Sequence, residues 1–328
     1  MNNSEHQPLF SIITPTCKHQ HLLKRALKSV LSQTYSNFEI IVVNDNPNDD
    51  TASQIIAEFD DIRIKYICHE KNMGACVAYN NGMRLAKGEY IAFLDDDDEY
   101  LPEFLEKTKQ FFIQKPEISF SWCGIQRILD TKEGERILLE RSWEKPFRNV
   151  EEALIQATSI GNGFGVVMKR KCLEIAGYYD ELFRVAEDTE YLFRLARKFD
   201  FAVIPETLVK IHQHGVTQLT SHLYDSIRLV QYEKIMQRNA DLLNKYPELF
   251  CVHADSMVRL AYKTRNKKKG CSFLLKMLLR RPYRLRILFS ILSYELSGSD
   301  FHFRKIFKEY FGFIFNNSCF SKFWSILT

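Results

Sequence analysis

The chain reads as an α/β protein built on a mostly parallel sheet with flanking helices, followed by an all-helical C-terminal region. Three observations predict this. Short apolar runs alternate with amphipathic helical stretches across the first hundred residues, the signature of right-handed βαβ units. Four consecutive aspartates, Asp95 to Asp98, directly follow an apolar run, as they would at the carboxyl edge of such a sheet. Beyond about residue 220 only helical periodicity remains.

The elements follow in order. Leu9 to Thr14 is a buried strand, and His19 to Gln33 is a helix whose stripe is Leu22, Leu23, Ala26, Leu27, Val30 and Leu31. A second strand spans Phe38 to Val43 and a helix Thr51 to Phe59. A third strand runs from Ile62 to Ile67, a helix from Ala75 to Lys87, and a fourth strand from Tyr90 to Leu94. Pro102 to Gln114 is a helix with proline in its first turn. From Glu117 to Arg148 the texture changes to short β-rich pieces, Ile118 to Gly124, Ile125 to Leu129 and Arg136 to Leu139. A Gly-rich turn and strand (Gly163 to Met168), helices at Arg170 to Ala176 and Ala186 to Lys198, and strand pieces at Phe201 to Ile204 and Leu208 to Ile211 complete the pattern. The expected division is a catalytic domain over 1–220, with halves 8–115 and 116–220, and a helical region over 221–328.

Composition narrows the classes. A hydrophobic content of 45% supports a sizeable core, which excludes global disorder. The net charge of +4 hides an asymmetry: Arg259 to Arg286 holds eleven basic residues and no acid, so the remainder is −7. The eight cysteines form no CxxC pair and have no histidine partners at zinc spacing, which suits a reducing compartment. The first residues lack a basic segment followed by an apolar core, and no stretch reaches about 18 uninterrupted apolar residues. The expected location is therefore cytoplasmic. The basic tail, with Leu274, Leu275, Met277, Leu278 and Leu279 and then Leu285 to Leu292 at helical spacing, suits either an anionic membrane surface contacted through 259–292 or a bundle with a solvated basic face. Nucleic acid is not an expected partner, because aromatic residues are not interleaved with the basic ones.

Four adjacent carboxylates repel one another and stabilise nothing without a cation, and hard divalent cations take carboxylate oxygens and share them with substrate phosphates. In a doubly wound sheet the strand ends share one edge. Thr14-Pro15-Thr16, Asn44-Asp45-Asn46 and Asp95 to Asp98 thereby converge on one crevice.

These pieces resemble the family 2 glycosyltransferases, inverting enzymes of the GT-A fold with a nucleotide-diphospho-sugar donor. The matching segments, in family order over roughly residues 8 to 220, are SIITPT at 11–16, VVNDNPNDDT at 42–51, NMGACVAYNNG at 72–82, FLDDDD at 93–98, GYYDE at 177–181 and AEDTEYLFRLA at 186–196. The resemblance implies that Thr14, Pro15 and Thr16 lie against the nucleotide base and that Asp45 accepts a hydrogen bond from uracil. It implies that Asn72 and Gly74 begin the segment beside the donor, that Asp95 sits near the ribose with Asp96 beside it, and that Asp97 ligates the metal, Mn²⁺ or Mg²⁺. Glu187-Asp188 matches an acidic pair at a helix start, with Asp188 as general base and Glu187 in the donor site. His214, in KIHQHG at 210–215, matches a histidine that completes the metal site; the role of His212 stays open. Tyr79 departs from the pattern, standing where arginine is usual, and Asp98 stays open between ligand and structural residue. Asp130 carries no expected role.

The implied activity is a metal-dependent, non-processive transfer of one hexose or N-acetylhexosamine from a UDP-sugar to a hydroxyl of a saccharide. That acceptor is expected to be a lipid-linked oligosaccharide of O-antigen, capsule or lipooligosaccharide synthesis, at the cytoplasmic face of the inner membrane. The competing readings are a sugar nucleotidyltransferase, which should carry a Gly-rich loop with Arg and Lys where this chain has TPTCKHQHLL, and a catalytically inactive carbohydrate- or metal-binding module.

Overall fold

The computed structural model describes residues 7–131, 133–143, 163, 165–213 and 224–280, the side chains of 278–280 excepted. The chain divides into two compact units, Met1–His253 and Ala254–Thr328.

The first unit begins with β1 (Phe10–Thr16), a 3-10 turn (Gln20–Leu22) and α1 (Leu23–Leu31), then β2 (Phe38–Asn44), α2 (Thr51–Phe59), β3 (Ile64–Cys68), α3 (Ala75–Leu85) and β4 (Tyr90–Phe93). It continues with β5 (Glu99–Tyr100), α4 (Phe104–Gln114), β6 (Phe120–Thr131), β7 (Gly134–Arg141), β8 (Val167–Lys169), α5 (Arg170–Ala176), α6 (Glu187–Ala196) and β9 (Phe201–Gln213). The strands form one sheet in the order β3-β2-β1-β4-β8-β6-β9-β5, with β7 beside β6. β3, β2, β1 and β4 are parallel, so their carboxyl ends share an edge. The remainder is mixed: β8 runs antiparallel to β4 and β6, β9 parallel to β6, and β5 antiparallel to β9. Because the chain reverses across β1 to place β4, a crevice opens where β1 and β4 end, the place where such sheets bind ligands.

The core lies around β1 and β2, where Ile12, Ile13, Ile40, Ile41, Val42 and Val43 are fully buried, each stabilising the fold by about 1.5–3 kcal/mol. α1 contributes the expected stripe of Leu23, Ala26, Leu27 and Val30. Two sets of strand pieces read as separate are single long strands. The alternation breaks at Gly124 and near Pro205, but the chain continues through bulges in the β6–β9 pairing there. Gly124 permits this, since a Cβ would sit 2.8 Å from the Glu206 carbonyl. α4 starts at Phe104 rather than Pro102, whose carbonyl accepts the Thr34 N–H at 2.9 Å.

α7 (Asp225–Arg238) and α8 (Ala240–Lys245) follow β9, and α9 (Pro247–Lys263) contains the division between the units. The contact division thus lies at residue 253, beyond the point near residue 220 where the sequence turns wholly helical. The reason is a set of polar ties: Gln231 Oε1 accepts the N–H groups of Arg184 (3.2 Å) and Val185 (2.8 Å), Arg238 bonds Asp180 (2.7 Å), and Arg197 bonds Asp241.

In the second unit the end of α9 leads through Arg265 into α10 (Lys267–Arg280). Met257, Val258, Ala261, Phe273, Leu274 and Met277 are buried, whereas Lys263, Arg265, Lys268 and Lys276 are exposed. The described part of the apolar stripe is therefore already covered, and the basic face is what meets solvent. The second half of the stripe, 281–292, lies outside the described residues. Among the described residues no helix is long and apolar enough to cross a membrane.

Candidate active site

Directly after β4 the backbone turns, closed by the Asp98 N–H to the Asp95 carbonyl at 3.2 Å. The turn fans the four side chains apart. Asp96 accepts the Thr16 hydroxyl at 2.5 Å, Asp95 accepts the Tyr79 hydroxyl, and Asp98 accepts the His212 N–H at 3.0 Å. Asp95, Asp97 and Asp98 bring carboxylate oxygens within 4.8 Å of one another, and Asp96 is outside this group. Asp98, left open by the sequence, belongs to the cluster; Asp96 turns aside to β1. Burial, and then the Asp97 charge beside it, push Asp95 up to about 7. Burial pushes Asp96 up to about 8 and Asp98 well above the carboxylate range. Three crowded carboxylate oxygen donors have the chemistry a hard divalent cation requires.

The ends of β1 and β2 meet this turn from one side. Of Thr14, Pro15 and Thr16, only Pro15 is partly exposed; Thr14 is buried inside the sheet and Thr16 is committed to Asp96. Asp45 is buried and heavily engaged. It accepts the N–H groups of Met73 (2.7 Å) and Gly74 (2.8 Å) and pairs with His69 Nδ1 at 2.8 Å. A carboxylate offers about four acceptor positions, so one remains for a base N–H. Gly74 has φ +94 with nothing near a would-be Cβ; backbone conformation at the start of α3 requires the glycine here. Asn72 is exposed and donates to the Asp45 carbonyl at 3.1 Å.

Glu187 and Asp188 open α6, entered through Ala186 in the left-handed conformation (φ 59). Asp188 Oδ1 accepts the Thr189 N–H at 2.6 Å. Burial, followed by the Asp188 charge, pushes Glu187 up to about 8, and the Asp95 charge adds to this. Asp188 in turn raises Asp95. The acidic pair and the aspartate turn therefore share one electrostatic environment, although they are far apart in sequence.

His212 is fully buried, with Nδ1 2.8 Å from Asp130 and Nε2 2.7 Å from Glu99. His214 lies outside the described residues. Sequence reasoning missed several members of the site. Tyr79 supports Asp95, Arg25 donates to the Asp97 carbonyl at 2.7 Å, and His19 Nδ1 lies 3.8 Å from Asp97. Asp130, with no expected role, belongs to the surroundings of the turn through His212 and Arg25. Glu99, Glu135 and His212 also bring ligand-type atoms within 4.8 Å, but Lys210 pairs with Glu135 at 2.8 Å and both His212 nitrogens face carboxylates.

Comparison with known proteins bears on family and fold. Residues 11–174 match the family described as "Glycosyl transferase family 2". An uncharacterized glycosyltransferase of Methanocaldococcus jannaschii is 32% identical over 211 residues, which is 62% of this chain and 70% of that protein. The GalNAc(5)-diNAcBac-PP-undecaprenol beta-1,3-glucosyltransferase of Campylobacter jejuni is 34% identical over 180 residues, 54% of this chain and 56% of that enzyme. Among solved structures, S. aureus TarS 1-349 in complex with UDP-GlcNAc superposes with a TM-score of 0.63 at 15% identity, covering 84% of this chain and 82% of that one; this likeness concerns the fold, which is GT-A. The nucleotidyltransferase and inactive-module readings give way accordingly. With a strand-edge acidic cluster, a GT-A sheet and these relatives, the chain is a glycosyltransferase and belongs to glycosyl transferase family 2.

Proposed function

We infer that this glycosyltransferase is inverting and metal-dependent, and moves one sugar from a UDP-sugar to a hydroxyl of a lipid-linked saccharide. The observation that carries the reading is the meeting of two acidic sites: the Asp95–Asp97–Asp98 cluster at the sheet edge and Glu187-Asp188 at the start of α6, close enough for each to raise the other's carboxyls. Asp95, Asp97 and Asp98, with His214, would hold Mn²⁺ or Mg²⁺. A bound divalent cation would neutralise charge developing on the diphosphate leaving group.

The rest falls to the chain itself. Pro15, Asp45 and Asn72 border the base and ribose, with Asp45 offering its remaining acceptor position to the uracil N–H. Asp188 takes the proton from the acceptor hydroxyl as that oxygen bonds to the anomeric carbon and the bond from that carbon to the diphosphate oxygen breaks. One base and one displacement invert the anomeric centre, so an α-linked donor gives a β-linked product. Residues 116–213 contribute the acceptor side. The Campylobacter relative's undecaprenol diphosphate acceptor supports a lipid-linked substrate, and the exposed basic face of α9 and α10 supports peripheral contact with an anionic membrane on the cytoplasmic side.

The test is UDP release from a panel of UDP-sugars with Mn²⁺ and a saccharide acceptor pool. Release from one donor, lost in Asp97→Ala and Asp188→Asn but kept in Glu206→Gln, supports the reading. A folded chain that releases UDP from none of them overturns it.

A further inference from the structure

Beside the aspartate turn lies a second layer of charge, carried by α1, β5, β6 and β9. Arg25, on α1, spreads its guanidinium over the aspartate turn and two strands. Nη2 donates to the Asp97 carbonyl at 2.7 Å, Nη1 donates to Asp130 on β6 at 3.0 Å, and Nε lies 3.7 Å from Glu99 on β5. His212, on β9, completes the ring. Its imidazole bridges Asp130 (2.8 Å) and Glu99 (2.7 Å), while the His212 backbone N–H donates to the Asp98 carboxylate at 3.0 Å. His212 and Arg25 both hold Glu99 and Asp130 below the ordinary carboxylate range, against the effect of burial. Four elements are joined by this ring, and it grips the turn at two points: the backbone of Asp97 and the side chain of Asp98.

Such a ring is costly to build, because desolvating charges is repaid only with good geometry and full hydrogen bonding. It also puts the Arg25 guanidinium beside a site that is to receive a cation, which on charge alone weakens binding there. A contribution that offsets both costs is rigidity: a hard cation needs several oxygens at fixed separations, and partners outside the ligands set that shape.

We propose that Arg25 and His212 are positioning residues that hold the aspartate turn in its cation-binding shape, with Asp130 and Glu99 as the struts that fix them. His212 then acts from beside the site and is not itself a ligand. The inference rests on the metal-dependent reading above.

Charge and positioning predict opposite signs for Arg25, and this makes the test decisive. Removing a positive charge in Arg25→Gln tightens Mn²⁺ binding if charge alone matters, and weakens it if the guanidinium positions the turn. Arg25→Lys keeps the charge but cannot hold the Asp97 carbonyl and Asp130 together, since an ammonium lacks the planar fork. The measurement is free Mn²⁺ by electron paramagnetic resonance in a titration of the full chain with UDP present, with folding checked by circular dichroism. The expected result is roughly tenfold or weaker Mn²⁺ affinity in Arg25→Lys, and likewise in His212→Gln, with native-like spectra. Unchanged affinity in folded Arg25→Lys, or tighter binding in Arg25→Gln, overturns the proposal while leaving the metal reading intact. A wild-type chain that binds no Mn²⁺ with UDP overturns both.

Discussion

The two acidic sites of the catalytic unit sit on different kinds of backbone, a turn at the sheet edge and the first turn of a helix. The turn at Asp95 to Asp98 is held from outside by β1, α1, α3 and β9, through Thr16, Arg25, Tyr79 and His212. Glu187-Asp188 opens its own helix, where Asp188 accepts the Thr189 N–H. A receptor for a cation and a diphosphate gains from long-range partners that fix several oxygens at once. A base that must accept a proton during reaction is served by a carboxylate at a helix start, entered here through the left-handed Ala186. The difference suggests separate tasks, donor binding for the turn and proton removal for the pair.

The sharpest way to break this division is Asp188→Asn. Loss of a general base is expected to lower kcat by about 10³-fold, with UDP affinity within a few-fold of the parent. Asp97→Asn should do the reverse in kind, weakening Mn²⁺-dependent UDP binding on the order of 10²-fold, measured by calorimetry. Next comes Asp45→Ala, which strips the Met73 and Gly74 N–H groups and His69 of their acceptor. A loss of about 2–4 kcal/mol in urea unfolding is expected, because buried donors are left unsatisfied.

A smaller, pH-dependent effect belongs to Glu187. Its carboxyl titrates near 4.5 when unfolded and about 8 when folded, so the folded state binds more protons between those values and stability falls as pH rises through that window. Glu187→Gln should match the parent below about pH 4.5 and exceed it above pH 8 in thermal unfolding. Smallest of all, Glu206→Gln removes an exposed ion pair with Lys107 and should change stability by less than about 1 kcal/mol and activity not at all.

Much of the parallel half was legible because its signals are local. Apolar runs such as Phe38 to Val43, the helix periodicity of Thr51 to Phe59 and the aspartate run each announce themselves within a short window. The mixed half was harder. β6 and β9 are long strands, but bulges at Gly124 and near Pro205 break the period that reveals a strand, so each read as two. Helical periodicity shows that α7 exists, whereas its ties to the first unit depend on Gln231 reaching backbone groups 46 or 47 residues away.

The site shows the same contrast. Residues lined up at strand ends could be read from spacing, and the family resemblance gave Asp97, Asp188 and Asp45 roles. The partners that shape them could not be read. Arg25, Tyr79, Asp130 and His212 contact the turn or one another across 16 to 114 positions of sequence, through a fold that spacing alone does not supply. Asp98 was undecided for the same reason, since only the turn geometry separates it from Asp96.

The division of labour between the acidic sites is tested most directly by calorimetric titration of UDP with Mn²⁺ into the parent, Asp97→Asn and Asp188→Asn. Two tasks in two places predict that Asp188→Asn binds like the parent and Asp97→Asn binds far more weakly. Parent-like binding by Asp97→Asn, or loss of binding in a folded Asp188→Asn, would contradict the account.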